Sequence, residues 1–257
     1  MFLPILVNGI CLCYNTSQML SIVIPVHNAW EHLRELLISI DNNTYYPFEI
    51  ILIDDASKKD TRKFIDGIVL VRKDCRLVKI RNKTQKWINY NWNLGAKIAQ
   101  GEYVAFLNSD IVVPRGWDLK LSRVLAKKSC ACPFEKKRGG EVFDIPAFYK
   151  SKFPHMIKGS CFMLKKEDLD KIFPIPDKIK HWCGDNWIAD RVAELKGVGF
   201  AKCVKITHQV EASARTLPIR KYANRIYKDI LAYQKLSGKD MSWSLDSVFR
   251  RYAAFLE

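Results

Sequence analysis

The chain has 257 residues, 48% of them hydrophobic, enough to bury a full core and too many for a disordered or fibrous protein. Lysine and arginine number 42 against 27 aspartate and glutamate, a net charge of +15. That excess suits polyanions, acidic lipid surfaces, phosphorylated substrates or simply a solvated basic surface. Eight cysteines, at positions 11, 13, 75, 130, 132, 161, 183 and 203, form no CxxC pair. They argue against a zinc site and fit reduced, buried thiols in an intracellular protein.

Residues 1–18, MFLPILVNGICLCYNTSQ, are apolar but lack the basic start of a signal peptide. Pro4, Asn8 and Gly9 interrupt them, and they are too short to span a bilayer. Met19, just before the first clear strand, is the candidate natural start. SIVIPV (Ser21–Val26) is a β-branched run followed by the polar pair His27 and Asn28, and reads as a buried strand. In residues 30–40, Leu33, Leu36, Leu37 and Ile40 recur at helical spacing. FEIILIDDAS is a second apolar run, ending in Asp54 and Asp55. A charged helical stretch from Lys58 and a third strand, Cys75–Ile80, follow.

Residues 91–99 suit a short helix that Gly101 ends, and Glu102–Leu107 a strand running into Asn108, Ser109 and Asp110. PRGWDLKLSRVL begins the next helix with Pro114 near its first turn. Strands alternating with helices predict parallel βαβ units in a doubly wound sheet. Ligands bind such sheets beyond the carboxyl ends of the strands, near a topological switch point. Polar residues gather at those ends here: His27 with Asn28, Asp54 with Asp55, and Asn108 to Asp110. The second half is less regular. KKSCACPFEKKRGGEVF reads as a strand and a basic loop, MIKGSCFMLKKEDLDKI as strand then helix, and DNWIADRVAELKGVGFAKCVKITH as helix, glycine turn and strand. The tail from Ala214 carries nine lysines and arginines against four acids, with helices expected at about 218–236 and 243–256. No stretch has the length and unbroken apolarity of an integral span.

SIVIPVHN, ILIDDAS, NLGAKIAQGEYVAFLNSDIVVPRGW and KGSCFMLKKEDLDKI resemble, in order and spacing, the family-2-like glycosyltransferases with the GT-A fold. The resemblance covers residues 21 to 208. It implies an α/β fold: a GT-A type, Rossmann-like, doubly wound mixed sheet with helices on both faces and a helical C-terminal extension. The expected layout is an apolar leader at 1–18, a transferase domain at 19–213 and a basic helical extension at 214–257.

The resemblance also assigns roles. Asp55 is expected to hold the base of a nucleotide, with Asp54 beside it; a carboxylate at a strand end accepts from a base N–H and rejects bases lacking that donor. Either aspartate could instead cap the helix that follows. Pro25, His27 and Asn28 match the segment lining the nucleoside pocket, with His27 where tyrosine is commoner. Asn93 and Gly95 match an element near the diphosphate and ribose. Trp92 stands there in place of the usual basic residue, and Lys83 and Lys86 are nearby substitutes. LNSD corresponds to the DxD-type motif, so Asp110 is the expected ligand of a Mn²⁺ or Mg²⁺ ion that bridges a diphosphate. Asn108 and Ser109 face the donor, Asn108 without the usual charge. The rival reading is an Asx turn after a strand. His208 matches a histidine that completes the metal site, although a lone histidine is more often structural.

An inverting transferase needs a base for the acceptor hydroxyl. Asp185, in WCGDNW, matches it, with Gly184 in place of the usual first acid; an N-cap is the alternative. Asp190, one turn on, reads as a surface or salt-bridging residue. Gly159 and Ser160 are expected to frame the donor sugar and acceptor. Trp182 and Trp187 flank Asp185 and either stack on a sugar or pack in the core. Ser213 and Arg215 lie on a loop that could close over the diphosphate, or serve only as a basic hinge.

The expected activity is transfer of a sugar from a UDP-, GDP- or dTDP-sugar to a hydroxyl on a glycan, lipid-linked or protein acceptor, with inversion. The alternative is a catalytically silent protein of the same fold that binds nucleotide-sugars or glycans. Nucleic acid is not an expected partner, since no zinc finger, RNP-type aromatic signature or basic heptad helix is present. The protein is expected to be cytoplasmic, and the basic tail suits peripheral contact with an anionic membrane.

Overall fold

The structure, a computed structural model, describes residues 2–7, 10–15, 18–70, 72–137, 156–208, 218–242 and 244–246, with backbone alone at 2–7, 10–15, 136 and 137. Strands β1 (Phe2–Val7) and β2 (Ile10–Asn15) pair antiparallel in a sheet of their own. This hairpin covers most of the stretch read above as an apolar leader.

The parallel half of the main sheet comes from the four runs identified by their apolarity. β3 (Leu20–Val26) lies between β4 (Phe48–Asp54) and β6 (Tyr103–Leu107), with β5 (Cys75–Arg81) outside β4. The chain runs outward through β4 and β5 and then returns to the far side of β3. The β3–β6 gap is therefore the switch point. The sheet continues with β9 (Cys161–Lys165), β8 (Cys130–Lys137), β10 (Val198–His208) and the two-residue β7 (Ile111–Val112), in the order β5-β4-β3-β6-β9-β8-β10-β7. β9 is antiparallel to both its neighbours, β10 is parallel to β8, and β7 is antiparallel to β10.

Successive strand side chains point to opposite faces. β3 sends Leu20, Ile22, Ile24 and Val26 to one side, where α1 (Trp30–Asn43) and α4 (Trp117–Leu125) cover them with Leu33, Leu36, Trp117 and Leu121. Val23, Ile51, Val104 and Phe106 point the other way, to α3 (Ile88–Ile98), α6 (Gly184–Ala193) and α7 (Ile219–Ser237). The short α2 (Lys59–Asp66) follows β4 and buries Thr61 and Ile65. The doubly wound sheet with helices on both faces is thus present.

Two boundaries differ from the sequence reading, each with a clear cause. α3 starts at Ile88 rather than at 91, because Asp55 receives the amides of Lys86 and Trp87 and turns the chain into the helix early. The helix after β9 shrinks to a 3₁₀ turn (Lys166–Asp168) and the four-residue α5 (Leu169–Ile172), with Pro174 and Pro176 blocking its continuation. α7 is no loose appendage: Tyr222, Ala223, Ile226, Ile230 and Tyr233 join the core beneath the sheet. The expected second tail helix lies almost wholly outside the described residues, as does the 213/214 boundary. Among the described residues no helix is long and apolar enough to cross a membrane.

Candidate active site

The strand ends that gather polar residues in the sequence all open on the switch-point side of the sheet. Among the described residues, five non-glycine ones have positive φ: Asn28 (61°), Ala29 (56°), Ala56 (58°), Trp87 (74°) and Cys183 (59°). They follow β3 and β4 or precede α3 and α6. Backbone strain of this kind gathers at functional sites, where the surrounding structure over-determines it.

At the β4 end the two aspartates divide their work. Asp54 is fully buried; its Oδ1 accepts from the Ser57 amide (2.9 Å) and its Oδ2 from Arg81 Nε (2.8 Å). Asp54 thus braces the turn before α2 without capping the helix, whose N-cap is Lys58, and both its oxygens are turned to the protein. Asp55 Oδ1 accepts from Asn82 Nδ2 (2.8 Å) and the Lys86 amide (2.7 Å), and Oδ2 from the Trp87 amide (2.8 Å). A carboxylate accepts about four hydrogen bonds, so the Trp87-facing oxygen has capacity for one more. The adjoining loop is tied to the same place. His27 Nδ1 lies 2.8 Å from the Asp55 carbonyl, Asn28 Oδ1 accepts from the Lys58 amide (2.8 Å), and Pro25 sits inside β3 opposite Ile53.

Asn93 and Gly95, expected beside the diphosphate and ribose, do other work. The Asn93 amide closes a reciprocal pair with the backbone of Ile175, donating to its carbonyl and accepting from its N–H, both at 2.8 Å. A Cβ on Gly95 would stand 2.2 Å from Val23 Cγ1, so glycine lets α3 press onto β3. The contacts these two residues make here are those of clamping and packing. Trp92, just before them in sequence, is a core residue edge-on to Phe162 at 5.2 Å.

At the β6 end, the Asn108 amide donates to the Ser160 carbonyl (2.9 Å), and Ser109 is buried. Asn108 Oδ1 and Ser160 Oγ are both buried without a hydrogen-bond partner among the described residues. A buried polar oxygen left so is costly, and two at one strand end mark a place where a polar ligand fits. Asp110, 5% exposed, stands with Oδ1 3.3 Å from His208 Nε2. The antiparallel register of β7 on β10 makes this meeting, setting His208 opposite Ile111.

The other ring nitrogen of His208, Nδ1, is held by Glu135 Oε1, and Glu135 Oε2 lies 3.7 Å from Lys158 Nζ. Burial alone would lower the His208 pKa. Asp110 and Glu135 outweigh it and raise the group to about 9. Glu135 is absent from the sequence reading; it sits among lysines, and only the pairing of β8 with β10 brings it to His208. Among the described residues no group of three or more His, Cys, Asp or Glu side chains is set to hold a metal. Asp110 and His208 are ligands of suitable type, a carboxylate and a buried imidazole whose Nε2 faces it at 3.3 Å.

Asp185 lies in the first turn of α6. Burial raises its carboxyl to about 6, against the pull of the amides of Asn186, of Asp185 itself and of Gly159. The Asn186 contact is 3.0 Å, and a Cβ on Gly159 would sit 3.3 Å from Asp185 Oδ2. Gly184 is buried, and a Cβ there would fall 2.1 Å from Asn89 Oδ1, which leaves no room for an acid or a ligand contact. Trp182 is 41% exposed beside the site, whereas Trp187 packs on the core under Arg191, at 4.7 Å. Asp190 binds Tyr233 Oη (2.7 Å) and Lys239, the salt-bridging role read for it. Ser213 and Arg215 lie outside the described residues.

The segment 158–160 joins these parts. Lys158 faces Glu135, Gly159 faces Asp185, and the Ser160 carbonyl receives Asn108.

Residues 21–193 match the family described as Glycosyl transferase family 2. The chain is 30% identical over 97 residues to glycosyltransferase GlyG of Streptococcus pneumoniae, covering 38% of this chain and 32% of that protein. It is 37% identical over 93 residues to the UDP-Glc:alpha-D-GlcNAc-diphosphoundecaprenol beta-1,3-glucosyltransferase WfaP of Escherichia coli, 36% of each. The match thus spans about a third of the length of these relatives. Among solved structures, Staphylococcus aureus TarS shares 16% identity at a TM-score of 0.59, over 83% of this chain and 65% of that one. GalNAc-T7, solved with UDP, GalNAc and Mn²⁺, shares 17% at 0.59, over 91% and 54%. At these identities the likeness is one of fold, and the fold is GT-A. The chain belongs to glycosyl transferase family 2.

Proposed function

We propose that the protein moves a sugar from a nucleotide-diphospho-sugar to an acceptor hydroxyl with inversion at the anomeric carbon. The observation that supports this reading is the 158–160 segment: Gly159 lies against Asp185, whose carboxyl is raised to about 6, and the next residue, Ser160, receives the Asn108 amide. A base poised near neutral pH suits removal of a hydroxyl proton. The solved neighbours bound to UDP and UDP-GlcNAc support a nucleotide-sugar donor.

Asp55 would take the base N–H on its remaining acceptor position. Asn108 Oδ1 and Ser160 Oγ would receive donor hydroxyls, and Trp182 would lie under an acceptor ring. Asp110 and His208 would hold Mn²⁺ or Mg²⁺. Bound there, the ion would neutralise the departing diphosphate. Asp185 would accept the acceptor proton while its position against Gly159 keeps the carboxylate aimed. The acceptor would be a glycan, lipid-linked or protein hydroxyl, met at a cytoplasmic membrane face.

Free nucleotide release across UDP-, GDP- and dTDP-sugars, with and without Mn²⁺, identifies the donor, and NMR of the product gives its anomeric configuration. Release dependent on acceptor, with an inverted product, is expected; a retained configuration overturns the mechanism. A silent binding protein is the second reading, favoured by the uncharged Asn108 and Gly184. Donor affinity without transfer for any acceptor would establish it.

A further inference from the structure

The geometry points to Glu135 as a positioning residue that aims His208 at a divalent cation, an inference that rests on the metal reading above. Glu135 is only 9% exposed. A carboxylate so placed is stable only when paired, and it is paired on both sides. Oε1 holds His208 Nδ1 and Oε2 faces Lys158 Nζ at 3.7 Å. With Nδ1 engaged, the ring presents Nε2 to Asp110 Oδ1 at 3.3 Å.

The strand pairing is arranged to bring this about. Val198 pairs with Cys130 and Lys205 with Phe134, so seven steps of β10 run against four of β8, and the register shifts between Ala201 and Lys205. After the shift Ile206 stands opposite Glu135 and His208 opposite Lys137, which sets the histidine at the last pair of β8 with β10, between Lys137 and Ile111 of β7. A bulge of this kind re-aims a side chain. A metal-bound histidine as a rule gives its second ring N–H to a carboxylate or carbonyl, which fixes tautomer and ring orientation. The aim of His208 matters more here because Asn108 brings no charge and Asp110 is the one carboxylate of the NSD segment.

The test is titration of the full chain with Mn²⁺ at fixed UDP, following the EPR signal of free aquo-Mn²⁺. Glu135→Gln, His208→Ala and the double variant are compared with the parent. Glu135→Gln keeps the side chain's shape, and its thermal melt shows whether it folds. Glu135→Asp, which keeps the charge but draws the oxygens back, is the second probe. Glu135→Gln is expected to weaken Mn²⁺ binding by about 10- to 100-fold. The double variant should bind no more weakly than His208→Ala, because Glu135 acts through that ring.

Parent-like Mn²⁺ binding by folded Glu135→Gln, or losses that multiply in the double variant, would overturn the assignment. Parent-like binding by His208→Ala overturns the metal reading itself and this inference with it. UDP affinity measured without metal tells separately whether the nucleotide site stands.

Discussion

Burial holds the Asp185 carboxyl at about 6, well above the ordinary aspartate value of 3.8. Between those two values the folded chain binds a proton that the unfolded chain releases, so this group's contribution to stability declines as pH rises through the window. At neutral pH the ionised carboxylate is therefore held at a cost in stability. Asp185→Asn removes both the charge and the base. The variant is expected to melt a few degrees higher than the parent at pH 7.5, by scanning calorimetry, while transfer falls by about 10²- to 10⁴-fold and donor affinity stays level. In the parent, kcat/KM should fall about tenfold per pH unit below pH 6. A variant that melts lower, or that keeps its rate, would contradict the role. Asp55, Asp110, Asp185 and His208 are nominated through the family resemblance, and each also stands at the edge of a periodic segment, where polar residues have few packing reasons to be. Glu135 is not, since FEKKRGG reads as a basic loop and its partner lies 73 residues away. For Asn93 and Gly95 the motif was visible, but the nearness of Ile175 and Val23 was not.

At the scale of elements, α7 reaches the site through a buried carboxylate, Asp229. Asp229 is fully buried and receives the amides of Lys180 (2.9 Å), His181 (2.8 Å) and Trp182 (2.9 Å), with Arg225 at 2.7 Å on the same helix. His181 lies between Trp87 and Tyr222, and burial lowers its pKa to about 4, so it is neutral in the site. The helix thus fixes the turn that precedes Asp185 and links it to the loop tied down by Asp55. Asp229→Ala leaves three amides and a guanidinium without their acceptor, a change that costs about 3–5 kcal/mol for a buried ion pair broken on one side. Hydrogen exchange should show faster exchange at 180–182 than elsewhere in the variant, and the acceptor KM should rise more than the donor KM. Uniform exchange, or no change in acceptor KM, would make the helix a plain packing element. β3, β4, β6 and the helices between them were readable because each is a local apolar pattern of one period. The two-residue β7 and the bulge in β10 have no such pattern; they arise only when distant strands pair.

The charge of +15 is a property of the whole molecule, but its arrangement on α7 gives it a direction. Lys221, Lys228 and Lys235 are all exposed and recur every seven residues, close to two helical turns, so they share one stripe. The acid of this helix, Asp229, is buried off the stripe, and Leu231, 41% exposed, lies beside it. A basic face with an apolar residue in it suits the surface of an anionic bilayer, at about 1 kcal/mol per lysine near the surface. Because such attraction is screened over about 10 Å at 0.1 M salt, it should weaken steeply as salt is added. The full chain is expected to float with vesicles containing phosphatidylglycerol at low salt and to remain behind at 0.5 M NaCl. Lys228→Glu with Lys235→Glu lies away from the crevice and should abolish flotation while leaving transfer to a short soluble acceptor unchanged. Flotation that persists in this variant, or that ignores salt, would mean that the stripe is a solvated face. The contact with lipid, if any, would then come from another part of the chain.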